Sequence, residues 1–137
     1  MGVDGVVSST VKEENKPKKP IQYGRINANE HQEQCVFVKV IRLKYPTLLF
    51  YAIPNGQLRN PSIAKKLKNE GVMPGVPDLC FPSLKLYIEM KSKEGQISSA
   101  QRYMMRLLTN CGYTCKVCYG AQQAIDLIDS MMKPLQM

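Results

Sequence analysis

Apolar and polar positions alternate most regularly between Leu84 and Lys91. Leu84, Leu86, Ile88 and Met90 are apolar, whereas Lys85, Tyr87, Glu89 and Lys91 are polar or amphipathic. A period of two assigns each set to its own face of a sheet. A short apolar run ends just before it at Phe81, and Pro82-Ser83 marks a tight turn, so Gly71 to Lys91 reads as a strand, a turn and a second strand. If the turn has two or four residues, Asp78 stands opposite Tyr87 or Glu89; a three-residue turn would send it to the other face. Directly opposed residues share a face, with Cβ atoms about 5 Å apart. The favoured registers therefore gather Asp78, Glu89 and Lys91 on one side of a rigid hairpin.

The rest of the chain alternates between helical and strand patterns. Asn27 or Asn29 can cap a helix running to about Lys44, with Glu30, Gln34, Phe37, Ile41 and Tyr45 as one stripe. That stripe turns Glu30 inward, where an acid is costly to bury unless it serves something; the plain alternative is an exposed first-turn acid favoured by the helix dipole. Leu48 to Ile53 is a buried-strand candidate, closed by Pro54-Asn55-Gly56. Asn60-Pro61 starts a helix to Glu70 that Gly71 stops, with Ile63, Ala64 and Leu67 inside. Ser98 caps a helix from about Ser99 to Asn110, and Ser98 with Gln101 forms a capping box. Ile97, Gln101, Met104, Leu108 and Cys111 share one stripe of this segment, which turns Gln101 toward the sheet. Tyr113 to Tyr119 alternates like a strand, and Ala121 to Met132 closes the chain as an amphipathic helix. The order helix, strand, helix, hairpin, helix, strand, helix predicts an α/β fold around a mixed central sheet.

Length and charge narrow the picture. A chain of 137 residues fits one domain with a modest core. Lys and Arg number 19 against 11 Asp and Glu, a net charge of +8 that suits a polyanionic partner. No apolar run approaches the roughly 18 residues of a membrane span, and no signal-peptide core is present, so a cytoplasmic location is expected. Residues 1–24 read as a flexible basic tail, with Lys12, Lys16, Lys18 and Lys19 among prolines, and 25–137 as the folded domain. Cys115 and Cys118 make a C-x2-C pair, but their odd separation on one strand sends them to opposite faces, so the cysteines are expected to be reduced packing residues rather than ligands. His31, the single histidine, receives no role.

Two carboxylates and one ammonium on a hairpin have a chemical use. The carboxylates can hold a magnesium or manganese ion, which prefers hard oxygen ligands and keeps several waters. Such an ion activates a water and neutralises phosphodiester charge, while a nearby lysine can orient the attacking water or stabilise the phosphorane. From spacing alone, D-x10-E-x-K is a loose pattern, and the solvated face of an ordinary hairpin is the favoured reading.

The wider pattern is more specific. Pro77-Asp78, ten residues, then Glu89-x-Lys91 is the signature of the PD-(D/E)xK nuclease superfamily. GVMPGVPDL, YIEMKSKEG and SSAQ, with PNGQLRN upstream, make the chain resemble the VRR-NUC family from about Glu30 to Val117. The resemblance implies a restriction-endonuclease-like core and a magnesium-dependent DNA endonuclease. Asp78 and Glu89 would be metal ligands with the Met90 carbonyl as a third, and Glu30 would act on the metal or a bound water. Lys91 would position the nucleophile, with Gln101 beside it, and the PNG loop would border the site. Arg59, Lys65, Lys66, Lys68 and Lys93 would contact phosphates; as charge runs they also fit a plain solvated face. Some other superfamily members hold an iron–sulfur cluster on one early and three late cysteines, for which Cys35 could be the early one, but here the late cysteines fall inside the core fold.

Stand-alone members of this size resemble Holliday-junction resolvases, which implies a homodimer on branched DNA, with Ile128, Met131 and Met132 of the last helix as spare apolar surface. No small-molecule cofactor and no membrane partner are expected. A monomeric flap, fork or nicking nuclease, a non-catalytic DNA-binding module and a structural dimerisation domain are the alternatives.

Overall fold

The computed structural model describes residues 29–133. The tail assigned to residues 1–24 lies outside them. Helix α1 spans Glu30–Lys44 and is capped by Asn29, whose side chain accepts from the Gln32 amide at 2.9 Å while Gln32 returns a carbonyl to the Asn29 N–H at 3.1 Å. Of the two candidate caps, Asn29 closes the helix; Asn27 lies outside the described residues. Strand β1 is Tyr51–Ala52 and helix α2 is Pro61–Asn69, with Asn60 as its N-cap and Pro61 at its first position. Strands β2 (Leu79–Phe81) and β3 (Leu86–Lys91) form the hairpin. Helix α3 (Ser99–Asn110), strand β4 (Thr114–Tyr119) and helix α4 (Ala121–Met132) complete the chain.

Among the described residues the strands make one mixed sheet in the order β1-β2-β3-β4. The first two pairings are antiparallel, and β3 with β4 is parallel, joined through α3. One face carries the core. Leu79, Phe81, Leu86, Ile88, Met90 and Cys118 pack there against Phe37 and Ile41 of α1 and against Ala121, Ala124, Ile125 and Ile128 of α4. Phe37, Phe50 and Phe81 form an aromatic cluster, the last two stacked with centroids 5.0 Å apart. Contacts of this kind add about 0.5–1.5 kcal/mol each beyond the area they bury. α3 lies over the other face, where Asp78, Cys80, Tyr87, Glu89 and Lys91 point.

Several sequence expectations change here. The strand expected over Leu48 to Ile53 shrinks to two ladder residues, both exposed. It has a neighbour on one side only, and only Phe50 reaches the aromatic cluster. Ile63 is 41% exposed instead of lying inside, because α2 packs mainly on the 3-10 turn Gly56–Arg59 rather than on the sheet. Leu84 sits in the hairpin turn and Cys111 is exposed at the end of α3. The broad face of α4 is occupied within the chain: Ile128 is fully buried, and Met131 and Met132 pack against the core. Much of this face is therefore used within the chain, with Met131 and Met132 left half-buried.

Candidate active site

The hairpin turn decides the site. Pro82–Leu84 form a 3-10 turn and Lys85 adopts a left-handed conformation at φ 47°, so four residues separate the strands. Leu79 pairs with Ile88 and Phe81 with Leu86, a register that carries Asp78 opposite Glu89. This is one of the two arrangements the alternation allowed. The Ile53 amide donates to the Asp78 carbonyl at 2.8 Å, which anchors the backbone of that residue from the β1 side.

The carboxylates are then fixed individually. Asp78 Oδ2 accepts from the Met90 N–H at 2.7 Å. A strand residue turns its N–H and C=O toward the same neighbour, so the Met90 carbonyl also faces the β2 side where Asp78 stands, whereas the Lys91 carbonyl faces away and accepts from Gly120 at 3.2 Å. Glu89 is buried, and its Oε1 accepts from Gln101 Nε2 at 2.8 Å with Lys91 Nζ at 3.7 Å. Lys91 is also buried.

Gln101 was torn between two uses in the sequence, and its amide serves both. Its Oε1 accepts from the Ser98 N–H at 2.9 Å, closing the capping box, while its Nε2 holds Glu89. The two ends of one amide do not compete. Gly75 lets the preceding loop approach: at φ +83°, a Cβ there would lie 2.4 Å from the Ala100 carbonyl oxygen. Asn55, of the Pro54-Asn55-Gly56 loop, donates to the Val76 carbonyl at 2.8 Å and ties that loop to the segment entering Asp78.

Burial shapes the electrostatics. Desolvation, followed by repulsion from Asp78, pushes Glu89 up to about 8, against the pull of Lys91. Desolvation likewise raises Asp78, although the Met90 amide works against it. Two acids facing each other in a desolvated corner cannot both ionise cheaply. With both ionised, the pair would carry more negative charge than Lys91 balances.

Glu30 departs from expectation in one respect. It is exposed at the start of α1, and the buried acid of that helix is Glu33. Glu33 follows Phe37 and Ile41 back by one helical repeat, a stripe as regular as the one that contains Glu30, so its burial was legible but ambiguous. Glu33 accepts from the Ala121 N–H at 2.7 Å and caps α4, a structural use. Glu30 still belongs to the corner. A Cβ built on Gly95 would meet Glu30 Oε1 at 3.2 Å and Lys91 Cδ at 3.3 Å, so both side chains converge on the 92–95 turn.

Arg59 lines the groove that Asp78 and Glu30 share. Lys65, Lys66 and Lys68 are exposed on α2 and do not line that groove, and Lys93 is exposed on the 92–95 turn that Glu30 and Lys91 approach. The cysteines are all free thiols; burial raises Cys118 to about 11, and it and Cys115 do face opposite sides of β4.

A model of the VRR-NUC domain matches residues 15–122, most of the chain. The chain belongs to the VRR-NUC family. A solved structure titled "VRR_NUC domain protein" superposes on the VRR-NUC chain with a TM-score of 0.61 at 22% identity, covering 77% of this chain and 89% of that one. That likeness concerns the fold, which is the mixed, helix-flanked sheet of restriction-endonuclease type. A search of curated proteins found no match. VRR-NUC domains are nuclease domains, so nuclease function with DNA as the substrate class is the coarse functional assignment. No helix among the described residues is long and apolar enough to cross a membrane.

Proposed function

We propose that the chain is a metal-dependent endodeoxyribonuclease of the PD-(D/E)xK type, cutting phosphodiester bonds by direct attack of water. The observation that carries this is the placing of Asp78 opposite Glu89 across the hairpin of β2 and β3, beside Lys91. The donor set fits magnesium or manganese. Among the described residues no three His, Cys, Asp or Glu side chains form a ready-made cage; two carboxylates and the Met90 carbonyl are a partial oxygen set, which suits an ion that keeps its own waters. Burial, and after it the repulsion among the acids, raises both, and a divalent cation would offset that cost.

When bound, the cation supplies an activated water and neutralises developing phosphate charge. The chain's own residues do the rest. Gln101 fixes the orientation of Glu89, and the Met90 amide fixes Asp78. Lys91, held by burial and by Glu89, presents its ammonium where it can position the attacking water or steady the phosphorane. Glu30, exposed at the rim, reaches the same corner and would act through a water.

The finer reading, carried by resemblance alone, is a homodimer that resolves four-way DNA junctions, since two symmetric cuts need two sites and each chain has one. The half-buried Met131 and Met132 of α4 are the apolar residues it would use. Magnesium titration of cleavage on a panel of junctions, flaps, forks and linear duplexes tests the proposal, with sedimentation run in parallel. Paired cuts in junctions by a dimer support the fine reading. Flap or nicking activity by a monomer replaces it, and absence of metal-dependent cleavage on every substrate leaves a non-catalytic DNA-binding module.

A further inference from the structure

The sequence assigned phosphate contacts to Arg59, Lys93 and the lysines of α2, yet the groove leading from the carboxylates runs along α1. It encloses about 840 Å³ between α1 and the segment from Ala52 to Arg59. Glu30 and Asp78 are the only acids among the described residues that line it, both at the catalytic end. The other charged residues of the lining are cations: Lys39 and Arg42 on the α1 wall, Arg59 on the opposite wall.

The placement follows from helix periodicity. His31, Cys35, Lys39 and Arg42 recur every three or four residues and occupy the side of α1 opposite Phe37 and Ile41. At about 1.5 Å per residue, Lys39 and Arg42 lie roughly 13 and 18 Å along the helix from Glu30. On one strand of a duplex that span corresponds to about four to five phosphates along the axis. Arg42 is also held in place. Its guanidinium carbon sits 5.8 Å from the centre of the Phe50 ring, which is itself stacked on Phe81. A cation oriented in advance loses less side-chain freedom on meeting a phosphate.

We infer that this groove is the path of one DNA strand out of the active site, with Lys39 and Arg42 clamping its phosphates from α1 and Arg59 from the facing wall. The inference rests on the nuclease reading for the identity of the scissile end, but its test does not depend on cleavage. Opposed cations along an open groove with acids at one end match a phosphodiester backbone that must enter the carboxylate corner only where a metal shields it. The α2 lysines, exposed and outside the lining of this groove, are then secondary.

Binding of a labelled 20-nucleotide strand and of the matching duplex is measured in EDTA, without metal, across a range of salt. Each phosphate contact contributes about 0.7–0.9 to the slope of log K against log salt. Lys39→Ala/Arg42→Ala should lower that slope by about 1.5 and weaken binding at least about tenfold at low salt. Arg42→Lys should retain the slope, since the charge remains. Lys65→Ala/Lys66→Ala should change both quantities less than the α1 pair does. An unchanged slope with affinity within about twofold for a folded Lys39→Ala/Arg42→Ala protein overturns the inference, as does a larger effect from the Lys65/Lys66 pair. Loss for the single strand and the duplex alike, or for one alone, supports it and tells which form occupies the groove. Failure of the nuclease reading would show separately, as unaltered cleavage by Asp78→Asn.

Discussion

Glu33 and Glu89 are both buried acids, and their surroundings are opposite. Glu33 faces the N-terminus of α4, where the Ala121 N–H donates to it and the positive end of the helix dipole favours its charge. Glu89 faces Asp78, with only Lys91 and the Gln101 amide to offset the repulsion. The first arrangement holds two elements together and is complete within the chain. The second sets two acids against each other in a desolvated corner and raises both. A buried carboxylate matched by a fixed dipole reads as architecture, and one set against another carboxylate reads as a site.

That contrast can be broken by mutation, and the largest effects are expected at the hairpin. Asp78→Asn or Glu89→Gln should cut magnesium-dependent cleavage by at least about a hundredfold. Thermal stability without metal should hold or rise, because a like-charge pair is relieved. Near-normal turnover in either variant, read by gel assay, would sink the mechanism. Lys91→Ala should lose most activity while still binding metal, since an ammonium is no ligand; calorimetric titration with manganese checks this, and a loss of metal affinity equal to that of Asp78→Asn would refute the assigned role.

Gln101 sharpens the comparison at intermediate size. Gln101→Glu keeps a capping-box acceptor for the Ser98 N–H but replaces the donor on Glu89 with a third negative charge. Activity should fall about 10–100-fold, as for other groups that orient a metal ligand, with little change in melting temperature. Gln101→Ala should reduce both.

Glu33→Ala tests the architectural side. It leaves the Ala121 N–H buried without its partner, at a cost of about 1–3 kcal/mol. Chemical denaturation should show that loss, while cleavage by the folded fraction stays near normal. A large fall in turnover per folded molecule would mean that the two acids are not separable as described.

The smallest effect is expected at Asp129, which joins Lys44 at 2.7 Å and the Tyr45 hydroxyl where α1 meets α4. Burial pushes its carboxyl up, but hydrogen bonds from Lys44 and Tyr45 outweigh that and leave it below its ordinary value of 3.8. A depressed acid stabilises the fold above its unfolded value and loses that contribution as pH falls through the folded one. Asp129→Asn should therefore cost about 1 kcal/mol or less near pH 7 for so exposed a cluster. The difference from the native chain should shrink as pH drops below about 4, in denaturation curves taken across pH.

The sequence by itself determined the elements that depend on neighbours along the chain. Asn29, Asn60 and Ser98 cap the helices expected of them, and Ala121 to Met132 is helical over its full expected length. The parity of β3 limited Asp78 to two useful registers, and the motif order identified the family. Tertiary structure decided what each face meets. A helical stripe says which residues lie together, not what lies opposite; Glu30 and Glu33 both extend the Phe37–Ile41 stripe, and only the docking of α4 buried the second. The turn's left-handed Lys85 selected the register that opposes Asp78 to Glu89. The amide of Gln101 could serve helix and site together only because the 71–77 loop, through Gly75, lets α3 seat closely over β3. The cationic wall of Lys39 and Arg42 stayed unread for the same reason: on α1 alone it is a solvated face, and it becomes a groove only when the segment from Ala52 to Arg59 stands across from it.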